Sequence, residues 1–313
     1  MGSKVIVVGS YSAAVFFKGK SIPLKGETLI ADSFFQSFGG KGSNQGVCAA
    51  TLGADVRMVC KIGVDQYADE IIDLYKKLGM YSPSIMQDPN EPTSIGAIFI
   101  DQEGNNAIMI NLGANKNLTS AEIIDWVKQE KDPFIVGFQL ENSVETIMEA
   151  IEACGKMGVP VLLDPAPASK LDESVYKHIT YLKPNEHEAK VLSGIEITKP
   201  EDAYAAGEWF IKKGVKTAII TLGEQGTVVV SKDGKQYFQA IQTEAADTTG
   251  AGDIFSGALM AAMSKGMPLD RAVCFATCAA SISVTRMGVV GAIPTLEETQ
   301  KLFDETYKEG GLR

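Results

Sequence analysis

The stretch Asp247-Thr-Thr-Gly-Ala-Gly-Asp253, followed directly by Ile254-Phe-Ser-Gly-Ala-Leu-Met260, carries the strongest structural signal in the chain. Small residues at 250–252 precede a long apolar run and predict the start of a helix. The first N–H groups of a helix have no acceptor within it, and the helix dipole gives that end a partial positive charge. Without bulky side chains, an anion can approach this backbone closely. The stretch therefore predicts a helix N-terminus suited to an anion, with a carboxylate in its first turn.

A carboxylate beside a phosphate-sized anion suits a base that accepts a hydroxyl proton during phosphoryl transfer. Glycine-rich capping, with Asp253 favouring the helix dipole, is the alternative for these residues taken alone.

Upstream of this stretch, short apolar runs alternate with helical patterns. Runs without polar alternation, separated by helices, are typical of an α/β fold with a doubly wound, mostly parallel sheet flanked by helices. Downstream, 254–264 and 269–285 are helical, and the tail from Thr295 predicts an amphipathic surface helix. We expect one domain over residues 1–313. The predicted strands are 4–9, 56–62, 134–138, 159–164, 179–183 and 217–221, and the predicted helices include 44–52, 67–78, 144–157 and 203–213.

Two early regions interrupt this alternation. Residues 28–38 are strand-like, and 94–101 with 106–112 predict a hairpin around Gln102-Glu-Gly-Asn105. We expect a small β-sheet that projects as a lid, formed by about 15–38 and 94–112. An ordinary extension of the main sheet is the alternative.

Composition excludes several classes of function. The 313 residues carry 29 Lys and Arg against 39 Asp and Glu, a net charge of −10, which argues against nucleic-acid or anionic-membrane partners. The sequence contains no apolar run of about 18 residues, and its first run predicts a strand rather than a signal peptide, so we expect a cytoplasmic protein. Five cysteines predict buried thiols rather than disulfides or a zinc site.

A second glycine-rich stretch, Phe38-Gly-Gly-Lys-Gly-Ser-Asn-Gln45, also precedes a predicted helix. Lys41 is followed by glycine, so this is not a Walker A loop. The glycines let the chain approach a ligand, and the Asn44 amide can donate to and accept from hydroxyl groups. Ligand binding and a tight turn both stay open for this stretch alone.

Two further motifs follow predicted strands. In Lys183-Pro-Asn-Glu-His-Glu188, Asn185 and Glu188 share one side of the helix that begins there. Glu188 could order Mg²⁺ through water, and the alternative is an Asn185 N-cap closed by Glu188 as a capping box. In Thr221-Leu-Gly-Glu-Gln-Gly226, two glycines indicate a turn, either beside a nucleotide or in a plain hairpin.

Together these motifs resemble the ribokinase-like carbohydrate kinases, the phosphofructokinase-B family, over nearly the whole chain. The C-terminal family signature is unbroken from 247 to 260, and Gly46 stands where Ala, Ser or Thr is usual in the N-terminal one. Pro165-Ala-Pro167, Pro184-Asn-Glu186 and Thr221-Leu-Gly223 look closest to the ribokinase branch. The N-terminal signature is followed at Gly39, Gly40, Gly42, Asn44, Gly53 and Gly63.

The resemblance implies transfer of the γ-phosphoryl group of ATP to a hydroxyl of a sugar or sugar derivative, by default a primary one. Asp253 would be the catalytic base, and the N–H groups of Gly250, Ala251 and Gly252 would stabilise charge on the phosphoryl group. The sugar site would comprise Gly40, Asn44, Glu141 and Asp253 with positions Ser12 and Ala14. The nucleotide site would comprise Lys41, Asn185, Thr221, Gly223 and Gly226.

The resemblance also implies two cations and a partner. Glu188 would hold Mg²⁺ through water. Asp247 and the Thr249 carbonyl, with groups from Ser283, Arg286 and Gly288, would hold a K⁺-like activator. The lid would close over the sugar and exclude water, and a homodimer through the lid is implied because ribokinases dimerise there.

One strand end departs from the family pattern. Ribokinases have Gly-Ser-x-Asn-x-Asp there, whose Asn and Asp hold sugar hydroxyls, whereas residues 9–14 read Gly-Ser-Tyr-Ser-Ala-Ala. Each lost hydrogen bond to a charged group costs about 1.5–3 kcal/mol, so two losses weaken ribose binding by roughly two to four orders of magnitude. We expect an acceptor that lacks those hydroxyls, carries a substituent there, or contacts the nearby Tyr11, Phe16 and Phe17.

Lysines 18, 20 and 25 follow this strand end. We expect them to be solvated surface residues, with contact to an anionic substrate as the alternative.

Two other functions remain as alternatives. One is a non-catalytic sugar or nucleotide sensor, against which the retained 250–253 stretch, Asn185 and Glu188 count. The other is a nucleoside kinase of the same fold, against which Ala14 counts, because ribose hydroxyls are usually held there too. A dinucleotide dehydrogenase is disfavoured, since residues 9–12 do not lead into G-x-G-x-x-G.

Overall fold

The computed structural model describes residues 4–131 and 133–307. Thirteen strands and nine α-helices occur in this part of the chain. The strands are β1 Lys4–Val8, β2 Ser12–Lys18, β3 Ser33–Gly39, β4 Asp55–Ile62, β5 Ile85–Gln87, β6 Ile95–Ile100, β7 Asn106–Asn111, β8 Ile135–Phe138, β9 Val161–Leu163, β10 Tyr181–Leu182, β11 Thr217–Thr221, β12 Thr227–Ser231 and β13 Gly234–Phe238. The helices are α1 Lys41–Thr51, α2 Gln66–Lys77, α3 Ser120–Gln129, α4 Val144–Lys156, α5 Glu186–Ser193, α6 Pro200–Lys213, α7 Ala251–Ser264, α8 Leu269–Ser283 and α9 Leu296–Thr306.

The main sheet has nine strands in the order β13-β12-β11-β10-β9-β8-β1-β4-β5. All pairs are parallel except β11–β12 and β12–β13. The predicted α/β class and the six predicted strands are confirmed, because fully buried strands are apolar on both faces. The hairpin β12–β13 and the short edge strand β5 were not predicted.

Helices cover both faces of the main sheet. Along β1, Val5 and Val7 pack in one core cluster, which also holds buried residues of α1, α7 and α8, whereas Ile6 and Val8 pack in the other. Helices α1 and α7 approach closely, since a Cβ at Gly257 would lie 2.5 Å from the Gln45 carbonyl oxygen. This close packing brings the N-termini of both glycine-rich helices to the same edge of the sheet.

A second, four-stranded sheet has the order β3-β2-β6-β7. Its middle pair is parallel and its outer pairs are antiparallel. The strand predicted over 28–38 is wrong at its start: β3 begins at Ser33, because β2 ends at Lys18, the register partner of Ser33. The sheet also reaches back to Ser12, three residues before the predicted lid boundary.

The five cysteines are buried and unpaired, as predicted. Within the described ranges, none of the helices combines the length and apolar character needed to cross a membrane. Positions 1–3, 132 and 308–313 of the predicted single domain lie outside the described residues.

Candidate functional site

A cavity of about 560 Å³ lies where β9, β10 and β11 end and helices α5 and α7 begin. Open parallel sheets bind ligands at the carboxyl ends of their strands. A larger cleft of about 790 Å³ at the β12–β13 hairpin contains none of the predicted site residues. The predicted residues that line the 560 Å³ cavity are Lys41, Asn185, Glu188, Thr221, Gly223, Gly226, Gly250, Ala251, Gly252 and Asp253.

Asp253 is buried in the first turn of α7. Its Oδ2 accepts a hydrogen bond from Asn44 Nδ2 at 2.9 Å, and its Oδ1 accepts one from Gln45 Nε2 at 3.2 Å. The ammonium of Lys41 lies 3.9 Å from Oδ1. Burial raises the pKa of Asp253, the charge of Lys41 opposes this, and the charge of Asp164 adds to it. The result is a carboxylate of increased basicity with a cation beside it.

Lys41 stays charged in this setting. Burial lowers the pKa of its ammonium, but the carboxylates of Asp253, Asp164, Glu141 and Glu188 outweigh that effect and raise the pKa to about 12.

Gly250 sets the start of α7. Its φ of 76° is left-handed, which favours glycine, and a Cβ there would lie 2.4 Å from Val289 Cγ1. The Ala251 N–H donates to the Thr248 carbonyl at 3.3 Å, so one of the three predicted anion donors has a weak partner inside the chain.

Glu141, Gly40 and Ser10 form a group next to Lys41. Glu141 Oε2 accepts from the backbone N–H of Lys41 at 2.7 Å and from the Ser10 hydroxyl. A Cβ at Gly40 would lie 2.8 Å from the Ser10 carbonyl oxygen, so only glycine allows this approach. Asn44 Oδ1 is buried and has no hydrogen-bond partner among the described residues, which leaves an acceptor for a ligand hydroxyl.

Ser12 and Ala14 lie on one face of β2, since side chains two residues apart in a strand share a face. Ser12 Oγ accepts a hydrogen bond from Ser94 Oγ at 3.0 Å. Ala14 pairs with Ser37 and Gly96, and a Cβ at Gly96 would lie within 3.7 Å of Ile98 and Ile110. This face, named here the Ala14 face, comprises Ser12, Ala14, Phe16, Lys18, Phe35, Ser37, Gly96, Ile98 and Ile110.

One end of the Ala14 face, at Lys18, lies near Asp247 in the segment before α7. Lys18, four residues after Ala14, is near enough for its charge to help lower the pKa of Asp247, although burial acts in the opposite direction. Its ammonium also lies 5.7 Å from the centre of the Phe35 ring. Lys18 is therefore half-buried rather than freely solvated, whereas Lys20 and Lys25 are exposed as predicted.

Of the three aromatic residues predicted near the acceptor, Phe16 alone shares the Ala14 face. Phe17 points to the opposite face, where it stacks on Phe34 and Phe99. The expectation for Tyr11 is wrong: its ring is 1% exposed and its hydroxyl donates to the Tyr67 carbonyl. The break between β1 and β2 turns Tyr11 into the core.

Asn185 and Glu188 form the capping box that was the alternative for this motif. Both residues also line the cavity, so capping and ligand contact are compatible. Burial and the charge of Asp164 raise the pKa of Glu188. At the neighbouring strand end, 221–226 form a short turn that leads into the β12 hairpin and borders the same cavity.

The residues predicted to hold a monovalent cation are only partly brought together. Asp247 accepts from the N–H groups of Thr249 and Gly288, both at 2.9 Å, so it ties the start of α7 to the loop after α8. The Ser283 hydroxyl instead donates to the Ala280 carbonyl, and the Arg286 guanidinium pairs with Glu298. A guanidinium is itself a cation, so any contribution of Arg286 has to come from its backbone, whereas the Ser283 hydroxyl oxygen can still offer a lone pair.

Gln45, Asp164 and Lys183 also belong to this site, and they were not predicted from the sequence. Asp164 and Lys183 directly follow β9 and β10, and both line the cavity. Because carboxyl ends of adjacent parallel strands meet at one edge, polar residues at those two positions were the signal that could have identified them.

Comparisons with known proteins agree with this geometry. The family model described as "pfkB family carbohydrate kinase" matches residues 3–296. Ribokinase of Staphylococcus aureus is 34% identical over 304 residues, covering 96% of this chain and 100% of its own. Deoxyribokinase of Salmonella typhimurium is 33% identical over 295 residues, covering 94% and 96%.

Among solved structures, Arabidopsis thaliana ribokinase complexed with ribose and ATP superposes with a TM-score of 0.88 at 28% identity, covering 97% of this chain and 99% of that one. The chain resembles these kinases over its full length, and it carries a buried carboxylate at a glycine-rich helix start. It therefore belongs to the pfkB family of carbohydrate kinases, phosphotransferases with an alcohol group as acceptor.

Proposed function

We propose that this kinase transfers the γ-phosphoryl group of ATP to a primary hydroxyl of a sugar or sugar derivative that lacks, or carries substituents in place of, the hydroxyls that ribokinases hold with Asn and Asp. A single observation carries the transfer chemistry: Asp253 lies buried at the N-terminus of α7, between the Asn44 amide and the Lys41 ammonium. A kinase needs a base, a cation and anion donors at one point, and these residues supply all three.

Asp253 acts as the base in this proposal. A carboxylate with a raised pKa is a better proton acceptor, and it must be within hydrogen-bond reach of the acceptor hydroxyl. Asn44 Nδ2 holds Oδ2, and the unpartnered Asn44 Oδ1 is free to accept from a second hydroxyl of the sugar. The same two residues thus orient the substrate and remove its proton.

The N–H groups at the start of α7 stabilise the charge that develops on the phosphoryl group. Preorganised donors act most strongly where charge increases in the transition state, so they lower the barrier rather than only binding ATP. Lys41 adds a positive charge on the same side. The turn of Thr221, Gly223 and Gly226 and residue Asn185 border the nucleotide half of the cavity.

The acidic side of the cavity fits Mg²⁺. Glu188 and Asp164 are buried carboxylates, and the charge of Asp164 raises the pKa of Glu188. Asp164 Oδ1 has no hydrogen-bond partner among the described residues. Glu188 would hold Mg²⁺ through water, since Mg²⁺ keeps several of its waters in proteins. When bound, the ion would neutralise phosphate charge.

The loop that Asp247 fixes fits a K⁺-like ion. Asp247 keeps its charge, because hydrogen bonds from Thr249 and Gly288 lower its pKa against the effect of burial. This carboxylate and the Thr249 carbonyl, with groups from Ser283, Arg286 and Gly288, would hold the ion and brace the start of α7.

The Ala14 face supports an acceptor other than ribose. Ala14 has no polar side-chain atom, its register partner Gly96 is flanked by Ile98 and Ile110, and the Ser12 hydroxyl is bonded to Ser94. An unpaired sugar hydroxyl against apolar side chains loses its water without a new partner. Similarity alone does not favour ribose, because the Salmonella typhimurium deoxyribokinase is about as similar as the Staphylococcus aureus ribokinase.

The four-stranded sheet would act as a lid and as a dimer interface. The face of this sheet opposite to Ala14 exposes Phe34 and Met109 by 63% and 77%, and Phe17 and Phe99 lie on the strands between them. Contiguous exposed apolar surface marks an interaction site, and a second copy of the lid would cover it. Closure over the sugar would exclude water and limit hydrolysis of ATP.

The test is coupled release of ADP from Mg-ATP with K⁺ across pentoses, hexoses, ketoses, tetritols, acidic sugars and nucleosides. We expect one acceptor other than ribose to give a clear maximum. Ribose as the best acceptor at low KM would contradict the acceptor class. A nucleoside maximum would assign a nucleoside kinase, and background rates with retained ATP binding would assign a sensor.

A further inference from the structure

A buried ion pair lies behind the N-terminus of α7. Lys183 and Asp164 are only 3% and 2% exposed, and Lys183 Nζ donates to Asp164 Oδ2 at 2.9 Å. The same ammonium donates to the carbonyl oxygen of Gly252 at 3.1 Å. Apolar residues often replace buried ion pairs without loss of stability, so stability alone does not explain this pair.

Ser256 cannot replace the lysine. Its Oγ lies 2.9 Å from Asp164 Oδ2 and 3.0 Å from the Gly252 oxygen. A hydroxyl carries one proton and donates to one of these oxygens at a time, whereas an ammonium donates to both together. Lys183 is therefore the group that connects the carboxylate to the backbone of α7.

The carbonyl of Gly252 belongs to the same planar peptide unit as the N–H of Asp253, so fixing the oxygen fixes that N–H. This unit lies in the first turn of the helix, where N–H groups are directed to the cavity. Gln45 extends the network to the carboxylate, since its Nε2 donates to Asp164 at 3.0 Å and to Asp253 at 3.2 Å. One buried pair thus restrains both the helix start and the carboxylate beside it.

We propose that Lys183, held by Asp164, is a positioning residue for phosphoryl transfer: it fixes the Gly252–Asp253 peptide, and with it the first N–H groups of α7, in the orientation that charge on the transferred phosphoryl group requires. This inference rests on the proposed kinase function, and its test does not need the sugar acceptor to be known.

The probe is ADP with Mg²⁺, with and without aluminium fluoride, which imitates the phosphoryl group in transfer. We expect aluminium fluoride to tighten the binding of ADP to the wild type. Lys183→Met leaves the Kd of ADP alone within about threefold, but reduces the gain from aluminium fluoride by about 10- to 100-fold, as misplaced donors do. Lys183→Met leaves the buried Asp164 carboxylate without its positive counter-ion. The second variant therefore combines Lys183→Gln with Asp164→Asn, which removes both charges.

Lys61 provides a matched control. Its ammonium donates to Glu122 Oε1 at 2.7 Å and to the Asn117 carbonyl at 2.8 Å, the same arrangement of carboxylate and backbone oxygen, and none of these residues lines the cavity. Lys61→Met should lower the melting temperature without changing the gain from aluminium fluoride.

The outcomes separate the two levels of the account. No gain in the wild type would contradict phosphoryl transfer itself. A gain in the wild type that the Lys183 variants keep within threefold would overturn the positioning role and leave the proposed function standing. Equal loss in Lys61→Met would also overturn it, because general destabilisation would then explain the effect.

Discussion

The two ends of the proposed site are built differently. At the transfer end, Asp253, Asn44, Gln45, Asp164 and Lys183 are joined by hydrogen bonds in one buried network. At the proposed acceptor end, the Ala14 face has apolar side chains, and its serine hydroxyls are bonded within the sheet. A buried polar network constrains every member, whereas an apolar wall tolerates exchange at constant volume. We therefore expect the reaction class and the choice of acceptor to be encoded in separate parts of the chain.

The largest effect is expected from Asp253→Asn. Loss of a general base costs about 10²–10⁴-fold, so kcat on the best acceptor should fall about 10³-fold. The melting temperature should stay equal or rise, since a neutral amide is less costly to bury than a carboxylate. Steady-state kinetics and thermal unfolding test both points, and near-full activity would show that the assigned base is wrong.

Gly250→Ala tests the geometry of the transfer end. Both Gly250 and Gly266 have left-handed φ angles, 76° and 85°. A Cβ added at Gly250 would lie 2.4 Å from Val289, whereas a Cβ added at Gly266 has no atom within 4 Å. The shared backbone conformation costs about 1–2 kcal/mol, and overpacking adds about 1–3 kcal/mol at Gly250.

Denaturant unfolding and kcat of Gly250→Ala and Gly266→Ala provide the comparison. We expect Gly250→Ala to lose about 10- to 100-fold in kcat, because displaced anion donors stabilise the transition state less. Gly266→Ala should keep its kcat. Equal stability losses in the two variants would remove the packing argument.

The pH profile reports on the same network. Asp253 must be ionised to accept a proton, and burial with the charge of Asp164 raises its pKa. Activity should therefore fall as the pH drops through the pKa of Asp253, which lies above the ordinary value of 3.8 for an aspartate. Asp164→Asn removes one raising charge and leaves Lys183 positive, so the acid limb of kcat/KM should move to lower pH.

The exposed Asp172→Asn serves as the control for this profile and should leave the limb in place. An acid limb that stays fixed or moves up in Asp164→Asn would show that the charge of Asp164 does not act on the base.

The smallest effect on turnover is expected at the outer surface of the lid. Met109→Glu places a charge on a residue that is 77% exposed, and it should weaken the proposed dimer while changing kcat by less than about threefold. Sedimentation velocity measures the change, with Met157→Glu, directly after α4, as a control for a charge elsewhere. A monomeric wild type would contradict the dimer.

The fold was largely predictable because continuous apolar runs such as 217–221 leave few alternatives to a buried parallel strand. The strand β2 was not predictable. Its residues 12–18 join a second sheet rather than the main one because they pair with β3 and β6, which lie further along the chain. The same uncertainty misplaced Tyr11. Alternation in a strand assigns two faces, but only the tertiary structure decides which one is buried.

The site was predictable where local chemistry is unusual. Asp253, Lys41 and Asn44 lie at glycine-rich helix starts, a pattern that predicts a close approach of the backbone to a ligand. Asp164 and Lys183 are ordinary residues 19 positions apart, and they meet because β9 and β10 are neighbours in the sheet. Networks that cross several elements have no local signature.

Ribose turnover in the wild type and in the double variant Ser12→Asn with Ala14→Asp tests the central claim most directly. We expect the wild type to use ribose poorly. In the double variant, kcat/KM for ribose should rise by roughly two to four orders of magnitude, with an unchanged KM for ATP. Efficient ribose turnover by the wild type, or no gain in the variant, would contradict the separation of transfer chemistry from acceptor choice.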